Sequence, residues 1–223
     1  MLTSRFTDAL LFAANLHGAQ TRKVGGEPYL AHLLGVAAIV LDYGGTEDEA
    51  IVAVLHDAIE DQGGATIREE IRSRFGEPVA AIVEGCTDAD TIPKPPWRPR
   101  KEAFLARLRT ASPAVRLVVA ADKLHNLRAL VREYRRRGER LWKYFSGGRE
   151  GTLWYHRSVA EVLRSVGDLQ PATPAAPFDA GHSAEMKSSD TAIVLLIGEL
   201  ERTREELEGL IVENTNRDRS QTT

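Results

Sequence analysis

Apolar residues recur along most of this chain with the period of a helix, and no stretch shows the alternation of a strand. Phe6, Leu10, Leu11 and Ala14 share one side of a first helix over residues 5–17. Residues 29–41 are strongly apolar, follow Pro28 at a helix's first turn and stop at Gly44-Gly45. Thr46-Glu-Asp-Glu49 supplies a cap and an acidic first turn to a central helix running to Asp61. Thr66 is expected to cap the next helix, with Ile67, Ile71 and Phe75 on one side, and 78–85 forms another short one. Prolines 93, 95, 96 and 99 predict a loop over 86–100, ahead of a helix around 102–108. Ser112-Pro113 opens the longest periodic segment, buried through Val115, Leu117, Leu124 and Leu130. Gly147-Gly-Arg-Glu-Gly151 is expected to turn the chain into a last helix over 154–166.

From 167 to 190 the pattern lapses into Pro, Ala, Ser and Asp, which reads as a linker. An amphipathic helix returns over 191–213, with Ile193, Ile197, Leu200, Leu207 and Ile211 on one side. The expected organisation is therefore all-α: a helical bundle over 1–166, a linker over 167–190, and a C-terminal helix and tail over 191–223. That last helix is a candidate for self-association.

Composition narrows the chemistry. Of 223 residues, 43% are hydrophobic, enough for a real core, and few are aromatic. A net charge of −3 is not the footprint of a nucleic-acid binder, so an anionic ligand must be held by local cations or a metal. One cysteine, Cys86, excludes an internal disulfide and a thiolate zinc site. No apolar run is long enough for a membrane span, and the first residues do not open a signal peptide, so a cytoplasmic protein is expected.

Ionisable residues interrupt three apolar helices: His32, the pair His56-Asp57, and Asp122. Such groups are costly in a core unless paired or bound to a cation. Two imidazoles and two carboxylates suit a divalent metal such as Mn²⁺, Fe²⁺ or Zn²⁺. On one continuous helix, His56 would stack over Glu60 and Asp57 over Asp61. Both acids would then be placed to orient or deprotonate a water. Arg22, Lys23, Lys94, Arg100 and Lys101 could neutralise phosphate oxygens. These features together suggest hydrolysis of a phosphate ester or pyrophosphate. Arg135-Arg-Arg137 reads as a solvated helix end, and Trp142, Tyr144, Phe145, Trp154 and Tyr155 as core closure around the glycine-rich turn. His125 is expected behind the ligands rather than among them, and His17 and His156 carry no signal.

His32, His56-Asp57 and Asp122 match the H…HD…D pattern of HD-superfamily phosphohydrolases. Three ordered segments resemble the RelA/SpoT-type alarmone hydrolase branch: Arg22-Lys-Val-Gly-Gly-Glu-Pro-Tyr-Leu-Ala-His32, His56-Asp-Ala-Ile-Glu-Asp61 and Ala121-Asp-Lys-Leu-His-Asn-Leu-Arg128. The resemblance implies an HD-domain helical bundle and a Mn²⁺ held by His32, His56, Asp57 and Asp122. It implies that Glu60 and Asp61 prepare the attacking water, that Arg22 and Lys23 line a nucleotide pocket, and that Asn126 contacts the nucleoside. The implied reaction removes the 3′-pyrophosphate of guanosine tetra- or pentaphosphate (ppGpp, pppGpp), giving GDP or GTP and pyrophosphate. The chain has Gln62 where that branch usually has Thr, and Val24 where Ser or Asp is frequent. An adenosine alarmone, the 2′-phosphate of NADPH, or a non-catalytic nucleotide-sensing module are the alternatives.

Overall fold

The computed structural model describes residues 1–91, 93–166 and 188–221. Among them the fold is all-α, and the only β pairing is an isolated bridge between Thr21 and Pro28. The helices are α1 (Ser4–His17), α2 (Leu30–Asp42), α3 (Glu47–Leu55), α4 (Ala58–Gln62) and α5 (Gly64–Phe75). Then come α6 (Glu77–Cys86), α7 (Trp97–Leu108), α8 (Pro113–Arg137), α9 (Gly148–Val166) and α10 (Ser188–Gln221). A 3-10 segment, Gly138–Tyr144, joins α8 to α9.

The centre of the molecule is α3. Thr46 and Glu49 cap it reciprocally, satisfying two donors that a helix start leaves open. Every residue from Ala50 to Leu55 is fully buried, because α1, α2, α6 and α8 surround the helix. A helix enclosed on all sides delivers its C-terminal end to the interior of the protein. The next two residues, His56 and Asp57, are therefore inside.

The continuous helix expected to Asp61 is interrupted there. His56 Nδ1 bonds the Ala53 carbonyl at 2.8 Å, the acceptor that an unbroken helix would offer to the Asp57 N–H. Asp57 flattens to φ −98°, ψ 0°, and the chain re-enters a short helix at Ala58. The two expected columns, His56 over Glu60 and Asp57 over Asp61, are therefore not those of one continuous helix.

Three other boundaries differ from expectation for local reasons. Helix α5 starts at Gly64, with Gly63 at φ 142° as its cap, so Thr66 lies inside the first turn. Helix α7 starts at Trp97, not near 102, because Pro99 falls in the first turn, where no amide hydrogen is required. Arg98, Arg100 and Lys101 are thus helical. The glycine-rich run begins α9 instead of preceding it. A Cβ on Gly147 would lie 2.7 Å from the Trp97 ring, and one on Gly151 3.1 Å, so these glycines make room for an indole.

The apolar side of α10 packs within the same chain, along α8 and α9: Leu196, Leu200 and Leu207 are fully buried. It leaves Val194, Leu195 and Val212 exposed. The basic run ends α8. Arg136 and Arg137 pair with buried Glu133, and Arg135 reaches Glu206 on α10. The expected linker lies outside the described residues, except for 188–190, which begin α10. No described helix is long and apolar enough to cross a membrane.

Candidate active site

Helix α2 brings His32, the break after α3 brings His56 and Asp57, and α8 brings Asp122. Their donor atoms converge. His32 Nε2 lies 3.2 Å from Asp122 Oδ1 and 3.7 Å from Asp57 Oδ2. His56 Nε2 lies 3.1 Å from Asp57 Oδ2 and 3.7 Å from Asp122 Oδ1. Burial disfavours charge on His56, Asp57 and Asp122, but mutual attraction wins. The Asp57 and Asp122 carboxylates hold His56 well above the usual imidazole range. Against the same burial, His56 holds Asp57 well below the carboxylate range, and Lys123 at 2.5 Å does so for Asp122.

This donor set fits a divalent cation. Atoms about 2.0–2.2 Å from a common centre are separated by roughly 3–4 Å, as the four His–Asp pairs are, and the ligand atoms of His32, His56 and Asp57 all lie within 4.8 Å of one another. A bound cation would take the place of the proton on His56 Nε2: the neutral ring, with its proton on Nδ1 for Ala53, would present a lone pair inward. His32 Nδ1 meets His125 Nδ1 at 2.9 Å, which leaves His32 Nε2 for the interior in the same way. Burial and neighbouring His32 push the His125 pKa down to about 4, so a neutral His125 stands behind the ligand, and its Nδ1 can accept from the His32 Nδ1–H. Tyr29 donates its hydroxyl to Asp57 Oδ2 at 2.5 Å, and burial together with the Asp57 charge pushes its pKa up.

Gly35 makes the His125 position available: a Cβ there would lie 2.3 Å from His125 Nε2. Gly35→Ala is therefore expected to displace the ring and weaken metal binding about tenfold. Titration calorimetry would measure it, and wild-type affinity would remove His125 from the support of the site.

The cluster opens into a cavity of about 140 Å³ that also meets Glu60, Lys101, Lys123 and Asn126. Those residues also line a larger, adjoining cavity of about 460 Å³. Arg22, Lys23, Lys94 and Arg100 line the larger one, so all six expected substrate cations and amides face one space. Lys123 and Arg132 join them, unforeseen from the sequence. Lys101 is held by Asp88 at 2.5 Å, yet burial and the nearby Lys123 ammonium lower its pKa. An anion between these two lysines would relieve that repulsion.

Glu60 takes Lys94 at 2.8 Å and the Asp88 backbone N–H at 3.3 Å. Asp61 lines only the larger cavity and accepts from Gln20 at 2.8 Å. Arg22 donates to Asn126 at 2.7 Å, and Asn126 donates to Asp122 at 2.6 Å, which ties the opening loop to the ligand helix. Buried Asp88, which also pairs with Arg100, gave no signal in an apparently irregular loop. His17 and His156 are buried too. His156 lines the larger cavity, and burial lowers its pKa to about 3. The aromatic residues form two groups instead of one. Trp154 and Tyr155 meet Trp97, while Trp142 meets Tyr134 and Phe145. Tyr144, Phe145 and Tyr155 are also cavity wall.

The HD domain family model matches residues 9–153, a span that holds His32, His56, Asp57 and Asp122, so the chain belongs to that family. Within it, the chain is 43% identical over 128 residues to guanosine-3′,5′-bis(diphosphate) 3′-pyrophosphohydrolase MESH1 of Xenopus tropicalis, covering 56% of this chain and 69% of that one. The human protein of the same name is 39% identical over 132 residues, covering 58% of this chain and 71% of its own. A solved structure, of a metazoan ortholog of SpoT that hydrolyzes ppGpp, superposes with a TM-score of 0.65. It covers 92% of this chain and 97% of its own at 23% identity, and that likeness carries the fold.

Proposed function

We propose that this protein is a metal-dependent guanosine-3′,5′-bis(diphosphate) 3′-pyrophosphohydrolase. The observation that carries the proposal is the shared wall. A metal-type His/Asp cluster opens, past Glu60, Lys101, Lys123 and Asn126, into a cation-lined cavity large enough for a nucleotide. The similarity to relatives named for that activity supports the same substrate.

In this reading His32, His56, Asp57 and Asp122 hold the cation. When bound, it supplies positive charge that acidifies water and offsets phosphate charge. The donor set suits Mn²⁺, Fe²⁺ or Zn²⁺ alike; we take Mn²⁺, the ion that the resemblance to the RelA/SpoT-type branch implies. Lys94, Arg100 and Lys101 take the 3′-pyrophosphate oxygens, and Arg22 and Lys23 steer the nucleotide from the opening loop. Asn126 contacts the nucleoside. Glu60 accepts a proton from the attacking water and Asp61 orients it. The water oxygen bonds to the phosphorus attached to ribose O3′. The P–O3′ bond breaks, O3′ takes a proton, and GDP and pyrophosphate leave. A cytoplasmic nucleotide pool is the setting this implies.

A substrate panel tests the assignment. Guanosine tetraphosphate is expected to give a higher kcat/KM than its adenosine counterpart or NADPH. Preferential loss of the NADPH 2′-phosphate would replace the proposed substrate.

Self-association through α10 would use its exposed Val194, Leu195 and Val212, since the opposite side is committed within the chain. Leu195→Glu is then expected to reduce the mass in solution. A wild-type protein that already has the mass of one chain would exclude this part of the proposal.

A further inference from the structure

We infer that Gln20, clamped by Gln62 and His17, is a positioning residue for Asp61; the inference rests on the part proposed for Asp61 in hydrolysis. Gln20 lies just after α1, and its backbone is held at both ends. Its N–H donates to the His17 carbonyl at 2.9 Å, and its carbonyl accepts from the Tyr29 N–H at 2.8 Å. The side chain is equally constrained. Gln62 Nε2 donates to Gln20 Oε1 at 2.7 Å, and the His17 Nδ1–H reaches the same oxygen at 2.7 Å. An amide has one acceptor end and one donor end. With two donors on Oε1, only one orientation remains, and it aims Nε2 at Asp61 Oδ2, 2.8 Å away.

The clamp has a rival. Lys94 Nζ lies 3.6 Å from Asp61 Oδ1 and already bonds Glu60 at 2.8 Å. Without the Gln20 amide, Lys94 is the side-chain partner left to Asp61 among the described residues, and the carboxylate is drawn toward it. The clamp also shares its base with the metal cluster. His17 stacks on Tyr29 with ring centroids 5.4 Å apart, and Tyr29 donates to Asp57. One short segment thus sets the orientation of a metal-ligand carboxylate and of a proposed catalytic carboxylate. Gln62, where a shorter Thr would be usual, supplies the amide that spans from α4 to Gln20.

The experiment is a double-mutant cycle on the metal-loaded full chain, with guanosine tetraphosphate as substrate. Gln20→Ala is expected to lower kcat about ten- to a hundredfold, the loss of one charge-assisted hydrogen bond, with KM and metal affinity unchanged. Gln62→Ala, which frees the Gln20 amide to turn, should lower kcat in the same direction by less. In an Asp61→Asn background, Gln20→Ala should cost nothing further in kcat, because the loss is transmitted through Asp61. A kcat for Gln20→Ala equal to wild type, where Asp61→Asn is impaired, would overturn the inference. So would losses that simply multiply, which a general structural role would give. A fully active Asp61→Asn would instead overturn the reading of Asp61, and this inference with it.

Discussion

His56→Ala and Asp57→Ala are each expected to abolish metal binding and turnover together. Each substitution removes one of four converging donors. It also leaves the remaining charged groups buried without their partner, since His56 is the nearest cation to Asp57 and also faces Asp122. Breaking such a buried pair costs more than the pair contributes when intact. Replacing a residue that merely supports a ligand weakens a metal site ten- to a hundredfold as a rule, so loss of a ligand should exceed about a hundredfold. Asp57→Ala additionally releases the Tyr29 hydroxyl. Titration with Mn²⁺, alongside a thermal melt to show that the variants fold, measures the effect. A variant that folds and binds the ion at wild-type affinity would place the metal elsewhere.

Glu60→Gln should separate binding from chemistry. The glutamate lines the inner cavity but is not one of the four converging donors, so metal affinity should hold. Its carboxylate faces the cavity into which the cluster opens, and the Gln amide cannot accept a proton. Removing a general base of this kind lowers the rate by about 10²–10⁴-fold. The loss should fall on kcat. Lys94 and Arg100, now without their Glu60 partner, are freer to meet an anionic substrate, so KM should not rise. Stopped-time assays at saturating substrate give kcat, and a wild-type value would end the assignment of Glu60 as the base.

What the sequence made legible was chemistry in the wrong solvent. His32, His56, Asp57 and Asp122 stand out because they interrupt helices that otherwise consist of core residues, and the fold brings all four together. The break at His56-Asp57 was not legible, because it depends on one ring nitrogen competing for one carbonyl. Periodicity alone continues straight through it. Asp88 was not legible because an acid in a proline-rich loop looks solvated, and only the folded chain brings Arg100 and Lys101 onto it. The start of α7 was misjudged by treating Pro99 as a breaker when it sits where proline is tolerated. Trp97 against Gly147 and Gly151 explains the glycine-rich run, a contact between distant segments that no local pattern announces. Gln20 and His17 carried no signal for the same reason: their meaning lies in Gln62 and Asp61, on another helix.

The most direct measurement is incubation of the Mn²⁺-loaded protein with guanosine tetraphosphate, with the products separated by ion-exchange chromatography. GDP and pyrophosphate in equal amounts, absent when the metal is withheld, are the expected products. Intact substrate after incubation with protein shown to carry the metal, or release of orthophosphate in place of pyrophosphate, would contradict a 3′-pyrophosphohydrolase.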